Sequence, residues 1–288
     1  MLKKRVIATL IVKDEIVVQS FNFKKYLPIG KPEIAVEFLN NWGIDEIIIL
    51  DINASKNNSE PNFKKLKDIA SFCFVPLTIG GGINSIDHIK ELMHCGADKI
   101  AINSAAIKNP VLITKSAHVF GSQCVVVSVD AVEIDNNYFV YNHLTKETLD
   151  IKVKDFVRKM EELGAGEIFI NSVNRDGSYN GFDLELINEV CNATTIPVIC
   201  SGGAKNANDF IDVFSNTSVN AASASNFFHF TEHSVITTKS NISRQISIRI
   251  ETAAHYNESN FDEHLRLIKK DDKILDELLF TKIIKEVI

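Results

Sequence analysis

The sequence predicts an α/β fold in which eight parallel strands and the helices between them close into a (β/α)8 barrel. Eight short apolar runs alternate with segments of helical periodicity, a pattern typical of parallel sheets with helical crossovers. The apolar runs are nearly continuous, as expected for strands that are buried on both faces. The chain has 288 residues, and a single barrel of this kind takes about 250.

The eight predicted strands are short and rich in β-branched residues. They comprise residues 6–12, 46–51, 74–79, 98–102, 123–130, 167–171, 196–200 and 219–223. The predicted helices comprise residues 32–42, 61–72, 86–95, 110–120, 153–163, 184–191 and 208–214. The first helix has proline at its start and Gly43 after its end, which is the usual asymmetry of helix termini.

The two halves of the predicted barrel match each other in sequence. Residues 76–85 read PLTIGGGINS and residues 197–206 read PVICSGGAKN, while INSA at 102–105 is echoed by SASN at 223–226. Such an internal repeat predicts a TIM barrel made of two duplicated half-barrels. After the first strand we expect a polar loop, and after the fifth an inserted hairpin over residues 132–141.

Each half carries a glycine turn after its third strand and a small polar turn after its fourth. Glycine permits positive φ and close approach to the backbone, and the free N–H groups of a following helix attract anions. Because active sites of such barrels lie at the carboxyl ends of the strands, two phosphate cradles are predicted at one mouth. The first cradle comprises Gly81, Gly82, Asn103 and Ser104, and the second comprises Gly202, Gly203, Ala224 and Ser225. The alternative is that one of the two is only a structural turn retained by duplication.

Three acidic residues lie near predicted strand ends, where they would face the same mouth. Asp130 ends the fifth strand, Asp51 ends the second, and Asp176 follows the sixth in the sequence NRDG. A carboxylate in such a place is costly to desolvate and is often a general acid or base. For Asp130 the functional interpretation is favoured. Asp51 could equally cap the next turn, and Asp176 could cap a turn or, with Gly177, help to hold phosphate.

Composition argues against several classes of function. The formal net charge is −6 and no basic block is present, so nucleic acid is not expected as a partner. The five cysteines are isolated and typical of a reducing cytoplasm, and no metal-ligand spacing or apolar run of membrane-spanning length stands out. Residues 1–7 are basic and then apolar, but charged residues follow too soon for a signal peptide.

Several segments spread over the chain resemble the cyclase subunit of imidazole glycerol phosphate synthase, the HisF family. They read KRVIA at 4–8, LDINAS at 50–55, TIGGGI at 78–83, GADK at 96–99, INSAA at 102–106, FGSQ at 120–123, RDG at 175–177 and SGGA at 201–204. The resemblance runs to about residue 230 and implies a (β/α)8 barrel. It also implies that ammonia is supplied by a HisH-like glutaminase. This glutaminase docks on the amino-terminal face of the barrel and forms a heterodimer with it. No cofactor is implied, and the substrate is a small molecule with two phosphates.

The resemblance assigns roles to individual residues. One phosphate is placed on Gly82, Asn103 and Ser104, and the other on Asp176, Gly177, Gly203, Ala224 and Ser225. A charged ammonia gate at the barrel floor, here called the floor ring, is formed by Arg5, Glu46, Lys99 and Glu167. Asp98 lies beside it at the glutaminase interface. The alternative for the floor ring is ordinary salt bridging of strand ends.

The chain also departs from the family pattern at the catalytic pair. The family has an aspartate at the end of each of the first and fifth strands, but here Ile11 stands opposite Asp130, and an alkyl group cannot transfer a proton. Gln19 replaces the family's lysine, and Glu15 replaces a glycine. Normal cyclase activity is therefore expected to fall steeply.

An apolar residue at position 11 resembles a HisF-like branch that accompanies an N-acetyl sugar amidotransferase in making acetamidino sugars of surface polysaccharides. We therefore expect a HisF-like barrel over residues 1–240 that serves such a complex. The alternatives are an orthodox histidine-pathway cyclase, with Asp14 or Glu15 replacing the lost acid, and a non-catalytic scaffold that activates the glutaminase.

Residues 241–288 form a predicted C-terminal extension. Residues 246–250 could form a short strand, and residues 261–287 have helical spacing. Part of this extension is expected to replace the last barrel helix, and the rest to pack on the barrel or on a partner.

Overall fold

A computed structural model describes residues 3–57, 59–230, 233–249, 256, 260–269 and 271. Twelve strands occur within these residues: β1 (Arg5–Lys13), β2 (Ile16–Phe21), β3 (Lys25–Gly30), β4 (Glu46–Asp51), β5 (Leu77–Gly80), β6 (Lys99–Ile102), β7 (Val125–Ile134), β8 (Asn137–Asn142), β9 (Glu147–Lys152), β10 (Glu167–Ser172), β11 (Val198–Ser201) and β12 (Ala221–Ala224). All eight predicted strands are present, with ends that differ by a few residues.

The α-helices of the described residues are α1 (Pro32–Asn41), α2 (Ile52–Lys56), α3 (Phe63–Ala70), α4 (Ile86–His94), α5 (Ser104–Lys108), α6 (Val111–Phe120), α7 (Val153–Glu162), α8 (Leu184–Ala193), α9 (Ala207–Asn216), α10 (Asn226–His229) and α11 (Ser234–Ile242). None of them is long and apolar enough to cross a membrane. The short helices α2, α5 and α10 follow barrel strands directly and were not predicted, because four or five residues are too few for a helical period to be visible.

Eight of the strands form a closed parallel barrel. Their order around the barrel is β1, β4, β5, β6, β7, β10, β11 and β12, and β12 pairs with β1 to close it. In the closing pair, Arg5 lies opposite Ala221. The predicted (β/α)8 barrel is therefore confirmed.

The barrel buries two separate apolar layers, because successive side chains on a strand point to opposite faces. One cluster fills the space between the strands and the surrounding helices. The other lies inside the barrel and comprises Ile7, Ile48, Ala101, Val126, Phe169, Ile199 and Ala221. We call this second cluster the inner apolar layer.

Each half of the barrel begins with a three-stranded antiparallel meander. In the first half β2 pairs with β1 and with β3, and in the second β8 pairs with β7 and with β9. The hairpin predicted within residues 132–141 is therefore present, and it turns at Asp135 and Asn136, both with positive φ. The polar loop predicted after the first strand is wrong. Val17 and Val18 lie in β2 and are buried. Strand pairing and the burial of these two side chains stabilise a strand here, although the neighbouring residues are polar.

The last barrel helix is α11, which follows β12 and packs against α9. The expectation that the C-terminal extension replaces this helix is wrong, since α11 ends at Ile242. Lys239 on α11 is fully buried, and its Nζ lies 2.7 Å from Oδ1 of Asp45 and 2.7 Å from the carbonyl oxygen of Gly43. This ion pair ties the helix to the segment that precedes β4.

The extension is described in part. Within residues 246–249, Ile248 is buried and forms a single parallel bridge with Lys4, so a longer strand is not formed there. Residues 260–269 form a turn in which Phe261 pairs antiparallel with Leu267. Over those residues the predicted helix is wrong, and Leu265 has a positive φ that a helix does not allow. The remainder of the predicted helix lies largely outside the described residues.

Candidate active site

Asp130 lies at the carboxyl end of the barrel, where β7 leaves it. The carboxylate is nearly buried, and Oδ2 accepts a hydrogen bond of 2.9 Å from Nδ2 of Asn103. Nδ2 of Asn171 lies 3.5 Å from Oδ1. Nδ1 of His143, in the turn between β8 and β9, lies 3.4 Å from Oδ2. One carboxylate is thus held by two amides and faces one imidazole.

Ile11 occupies the equivalent place on β1. Alternation along the strand puts Ile11 on the same inward face as Ile7 and Thr9, and the Oγ1 of Thr9 lies 2.6 Å from Oγ of Ser223 on the neighbouring strand β12. Ile11 is opposite Leu50 in the register of β1 and β4. The position that would hold a second acid therefore presents hydrocarbon to the mouth.

The acids suggested as replacements lie at the tip of the β1–β2 hairpin. Asp14 and Glu15 are exposed and have φ of 51° and 63°. Oδ2 of Asp14 lies 3.0 Å from Nζ of Lys13, and Oε1 of Glu15 accepts a hydrogen bond of 3.1 Å from the side chain of Asn62. The first contact lies within the hairpin and the second ties its tip to the residue that caps α3, and neither brings a carboxylate to Asp130.

Both glycine turns need glycine for steric reasons. Gly81 has φ of 110°, and a Cβ there would lie 2.3 Å from the carbonyl oxygen of Asp51. Gly203 has φ of 98°, and a Cβ there would lie 2.0 Å from the carbonyl oxygen of Gly181. The first turn therefore packs against the end of β4 and the second against the loop that follows β10, at a distance that only glycine allows.

In the first cradle, one backbone hydrogen-bond donor is already paired within the protein. The N–H of Gly82 donates a hydrogen bond of 3.0 Å to Oγ of Ser55. Asn103 precedes α5 with φ of −113° and ψ of −81°, and Ser225 precedes α10 with φ of −110° and ψ of −79°. The two short helices therefore begin with similar backbone geometry, although the sequence repeat aligns Asn103 with Ala224 and Ser104 with Ser225.

The second cradle encloses a small cavity. Its lining includes Asp176, Gly177, Gly202, Gly203, Ala224 and Ser225. The hydroxyl oxygen of Ser225 is buried and has no hydrogen-bond partner. A buried hydroxyl without a partner is costly, and a phosphate oxygen in this cavity could accept its hydrogen bond.

The carboxylate of Asp176 holds a loop. Its Oδ2 accepts hydrogen bonds from Oγ of Ser20 at 2.6 Å and from the N–H of Phe23 at 3.1 Å. Burial raises the pKa of this carboxyl despite those hydrogen bonds. Asp176 therefore fixes the β2–β3 hairpin above the second cradle through its side chain.

Asp51 acts as the N-cap of α2. Oδ1 accepts hydrogen bonds from the backbone N–H groups of Asn53 and Ala54 at 2.9 and 3.1 Å. These are the orphan donors that a cap satisfies. The geometry therefore favours the capping alternative over an acid of the mouth.

The floor ring closes at the amino-terminal end of the barrel. NH1 of Arg5 lies 2.6 Å from Oε2 of Glu46, and NH2 of Arg5 bonds Oε1 of Glu167. Nζ of Lys99 lies 2.9 Å from Oε1 of Glu46 and 2.9 Å from Oε2 of Glu167. Each cation thus bridges both anions, which ordinary pairing of adjacent strand ends would not produce.

Charges in the floor ring are mutually compensated. Glu46 and Glu167 are buried, and Oε1 of Glu46 also accepts a hydrogen bond of 3.0 Å from Thr78. Burial opposes the charge of Arg5, but the carboxylates of Glu167 and Glu46 outweigh it and raise the pKa of the guanidinium. Asp98, beside the ring, is exposed and accepts a hydrogen bond from the N–H of Leu77 at 2.8 Å.

His143 and Asn171 are site residues that the sequence reasoning missed. Asn171 is the last residue but one of β10, on its inward face, and its place near a strand end was a usable signal. His143 lies in a turn outside the barrel repeat, so only the three-dimensional path of the β8–β9 hairpin brings it to Asp130. Among the described residues, no three His, Cys, Asp or Glu side chains are grouped as a metal site.

Comparison with known proteins gives a consistent result. The sequence model of the family described as "Histidine biosynthesis protein" matches residues 5–234. A protein from Vibrio vulnificus, named as a candidate hisF2 subunit of imidazole glycerol phosphate synthase, is 46% identical over 263 residues, which are 91% of this chain and 96% of that one.

Two further relatives carry the name "Imidazole glycerol phosphate synthase subunit HisF". The protein of Staphylococcus carnosus is 43% identical over 237 residues, covering 82% of this chain and 93% of its own. The protein of Streptococcus mutans is 41% identical over 240 residues, covering 83% and 96%. Since 263 aligned residues exceed the 240 of the predicted barrel domain, similarity to the Vibrio protein reaches into the C-terminal extension.

Proposed function

This chain belongs to the HisF family of imidazole glycerol phosphate synthase subunits, and on that premise we propose that it is the cyclase-type subunit of a glutamine amidotransferase. A HisH-like glutaminase docks on the amino-terminal face and releases ammonia, which enters the barrel through the floor ring. The ammonia reacts at the mouth with a small molecule that carries a phosphate at each end. The observation that carries this proposal is the closed floor ring, in which two cations each bridge two anions.

The layers above the floor ring suit neutral ammonia. The inner apolar layer lies directly inward of the ring on the same strands. A charged ammonium ion would lose most of its hydration there, whereas neutral ammonia would lose little. Beyond that layer, the hydroxyls of Thr9 and Ser223 offer polar contacts on the way to Asp130.

The amino-terminal face is suited to a protein partner. Phe74 is 87% exposed in the segment that leads into β5, and Asp98 is exposed directly before β6. Aromatic residues are enriched at protein interfaces. An exposed phenylalanine at the end of the barrel where the floor ring opens supports docking of the glutaminase there.

The mouth is suited to two phosphates. The two glycine turns stand in corresponding places of the two halves, and the unpartnered hydroxyl of Ser225 lies in the second cradle. We propose that the first cradle holds one phosphate through Gly82, Asn103 and Ser104. The second holds the other through Gly177, Gly203, Ala224 and Ser225, with Asp176 fixing the loop above.

Among reactions of this type, that of imidazole glycerol phosphate synthase is the best supported, because the relatives described above are all named as subunits of that enzyme. Histidine biosynthesis is therefore the pathway we propose first. The five cysteines are free thiols, which agrees with a reducing cytoplasm.

Ile11 favours a second candidate. A HisF-like subunit without the acid at the end of β1 would suit a complex in which the ammonia is passed to an N-acetyl sugar amidotransferase, for acetamidino sugars of surface polysaccharides. A third outcome is a scaffold that only binds and activates the glutaminase.

One assay separates these functions. The purified protein is given the bisphosphorylated substrate of the histidine pathway and an ammonium salt, and substrate consumption is followed. Consumption that requires ammonium and is lost in Asp130→Asn supports the cyclase. No consumption by the natural protein, with activity gained in Ile11→Asp, supports sugar amidation. No consumption by either, with a stimulated glutaminase, supports the scaffold.

A further inference from the structure

We propose that His143 is the proton-transfer partner of Asp130 and supplies the function that Ile11 cannot. This role rests on the proposed function, since it needs an ammonia-using reaction at this mouth. The mouth of the barrel retains one of the two catalytic carboxylates, that of Asp130. Addition of ammonia to a carbon centre, however, needs one group to take a proton and another to give one.

The position of the imidazole fits a bridging role. Nδ1 of His143 lies 3.4 Å from Oδ2 of Asp130, and Nε2 lies 3.4 Å from Oγ of Ser104 in the first cradle. The side chain is 24% exposed, so a ligand can reach part of it. The ring therefore stands between the carboxylate and the place proposed for a phosphate.

The hairpin that carries His143 is fixed from both sides. Asn142 is buried, and its Oδ1 accepts a hydrogen bond of 3.0 Å from the N–H of Leu144. Tyr141 meets Phe23, from the β2–β3 turn, edge to face with ring centroids 6.3 Å apart. The two meanders thus meet above the mouth, and the turn between β8 and β9 holds the imidazole over Asp130.

Other polar groups near Asp130 are poorer proton carriers. Asn103 and Asn171 present amides, which do not titrate. Burial and the charge of Asp130 raise the pKa of Tyr141, and burial, Asp176 and Asp130 raise that of Tyr26. Both phenols therefore stay protonated at neutral pH. An imidazole is the side chain whose ordinary titration range includes neutral pH.

The proposed step balances as follows. The nitrogen of ammonia forms a bond to a carbonyl carbon of the substrate, and the π pair of that carbonyl moves to its oxygen. The oxygen takes the proton from Nε2 of the His143 imidazolium, whose N–H electron pair stays on the ring. The nitrogen gives a proton to the carboxylate of Asp130. Neither an oxidant nor a metal is required.

The kinetic test uses His143→Gln, which keeps a polar side chain that cannot titrate. In the ammonium-dependent assay we expect kcat to fall about 100-fold, with KM changed by no more than about twofold. Added imidazole should restore part of the rate of His143→Gly. The control is His94→Gln, an exposed histidine on α4, which should leave both constants unchanged.

Two results of this test would overturn the proposal. One is an unchanged kcat in His143→Gln. The other is a rise confined to KM, because His143 would then only bind phosphate beside Ser104. A compensation test uses the double variant His143→Gln/Ile11→Asp, in which the new acid should restore much of the rate. A rate that stays low in this double variant would also count against the proposal.

A spectroscopic readout keeps this role distinct from the proposed function. In ¹⁵N-histidine NMR spectra we expect neutral His143 to be the Nδ1–H tautomer, because the carboxylate 3.4 Å from Nδ1 favours a hydrogen on that atom, and Asp130→Asn should shift it toward Nε2–H. A dominant Nε2–H tautomer in the natural protein would overturn the pairing whatever the activity. A natural protein that consumes no substrate would instead overturn the cyclase itself, and with it this step.

Discussion

The Nζ atom of Lys99 lies 2.9 Å from Oε2 of Glu167, although the two residues stand on β6 and β10, which are separated by β7. The ion pair therefore reaches across the floor of the barrel. Arg5 and Glu46 complete the ring from the other side. Ammonia that moves along the barrel axis must pass through this ring. The residues of the ring should therefore affect the passage of ammonia through the floor more than the chemistry at the mouth.

Removing one cation of the floor ring should affect glutamine-dependent turnover but not ammonium-dependent turnover. Lys99→Ala leaves Glu46 and Glu167 with Arg5 alone and opens or collapses the ring. We expect glutamine-dependent turnover of the complex to change, falling about tenfold, while turnover with added ammonium salt stays near that of the natural protein. Parallel steady-state assays with the two nitrogen sources measure this, with the exposed Lys115→Ala as the control. Equal losses with both sources would show that the ring serves only the fold.

Ser225→Ala should weaken phosphate binding without harming the fold. The hydroxyl is buried and has no partner within the protein, so its loss removes no internal hydrogen bond. A hydrogen bond to a charged ligand is worth about 1.5–3 kcal/mol, which predicts a Kd for the bisphosphorylated substrate that is raised about tenfold or more. Titration calorimetry measures the Kd and thermal unfolding checks the fold, with the exposed Ser71→Ala as control. An unchanged Kd would mean that this hydroxyl does not face the phosphate.

Lys239→Met should strongly destabilise the protein. The variant leaves Oδ1 of the buried Asp45 without its cation, and breaking a buried pair in this way costs about 3–5 kcal/mol. Denaturant unfolding measures the loss, and Lys67→Met, on the exposed face of α3, should cost little. The double variant Lys239→Met/Asp45→Asn should recover part of the stability. A loss below about 1 kcal/mol would indicate that the pair behaves like a surface pair.

His229 should make the protein sensitive to mild acid. Burial lowers the pKa of its imidazole to about 4, and Nε2 has no hydrogen-bond partner. The unfolded chain binds the proton at about pH 6.5, so His229 does not reduce stability above that pH. As the pH falls from 6.5 to 4 the unfolded state takes up the proton first, and about 3 kcal/mol of stability is lost.

The measurement for His229 is the free energy of unfolding at several pH values. His229→Met should flatten the curve between pH 6.5 and 4 by about that amount, and the exposed His94→Gln should leave its slope unchanged. An equally steep curve in His229→Met would assign the acid sensitivity to other groups.

The barrel and its floor could be predicted from sequence because their signals are local. Eight apolar runs locate the strands, and the charged residues Glu46, Lys99 and Glu167 start three of them, so the closure of the barrel alone brings those side chains together. The duplication likewise located both glycine turns. That each cation would bridge both anions depended on side-chain reach across the floor, which only the three-dimensional structure shows.

What escaped prediction depends on contacts distant in sequence. The duplication itself was an unused signal for the β2–β3 hairpin, since a hairpin was recognised only in the second half. Asp176 was expected to face a ligand, but its carboxylate bonds Ser20 instead. His143 had no local signal, because its partner Asp130 lies on another strand and the path of the hairpin decides their distance.

The most direct test of ammonia transfer through the floor is an isotope competition. The complex of this chain with a HisH-type glutaminase is given the bisphosphorylated substrate, glutamine labelled with ¹⁵N at its amide, and excess unlabelled ammonium, and the ¹⁵N content of the product is measured by mass spectrometry. We predict ¹⁵N enrichment far above that of the ammonium in solution, and a loss of this excess in Lys99→Ala. A product whose ¹⁵N content matches the ammonium in solution, in the natural complex, would contradict passage through the floor ring.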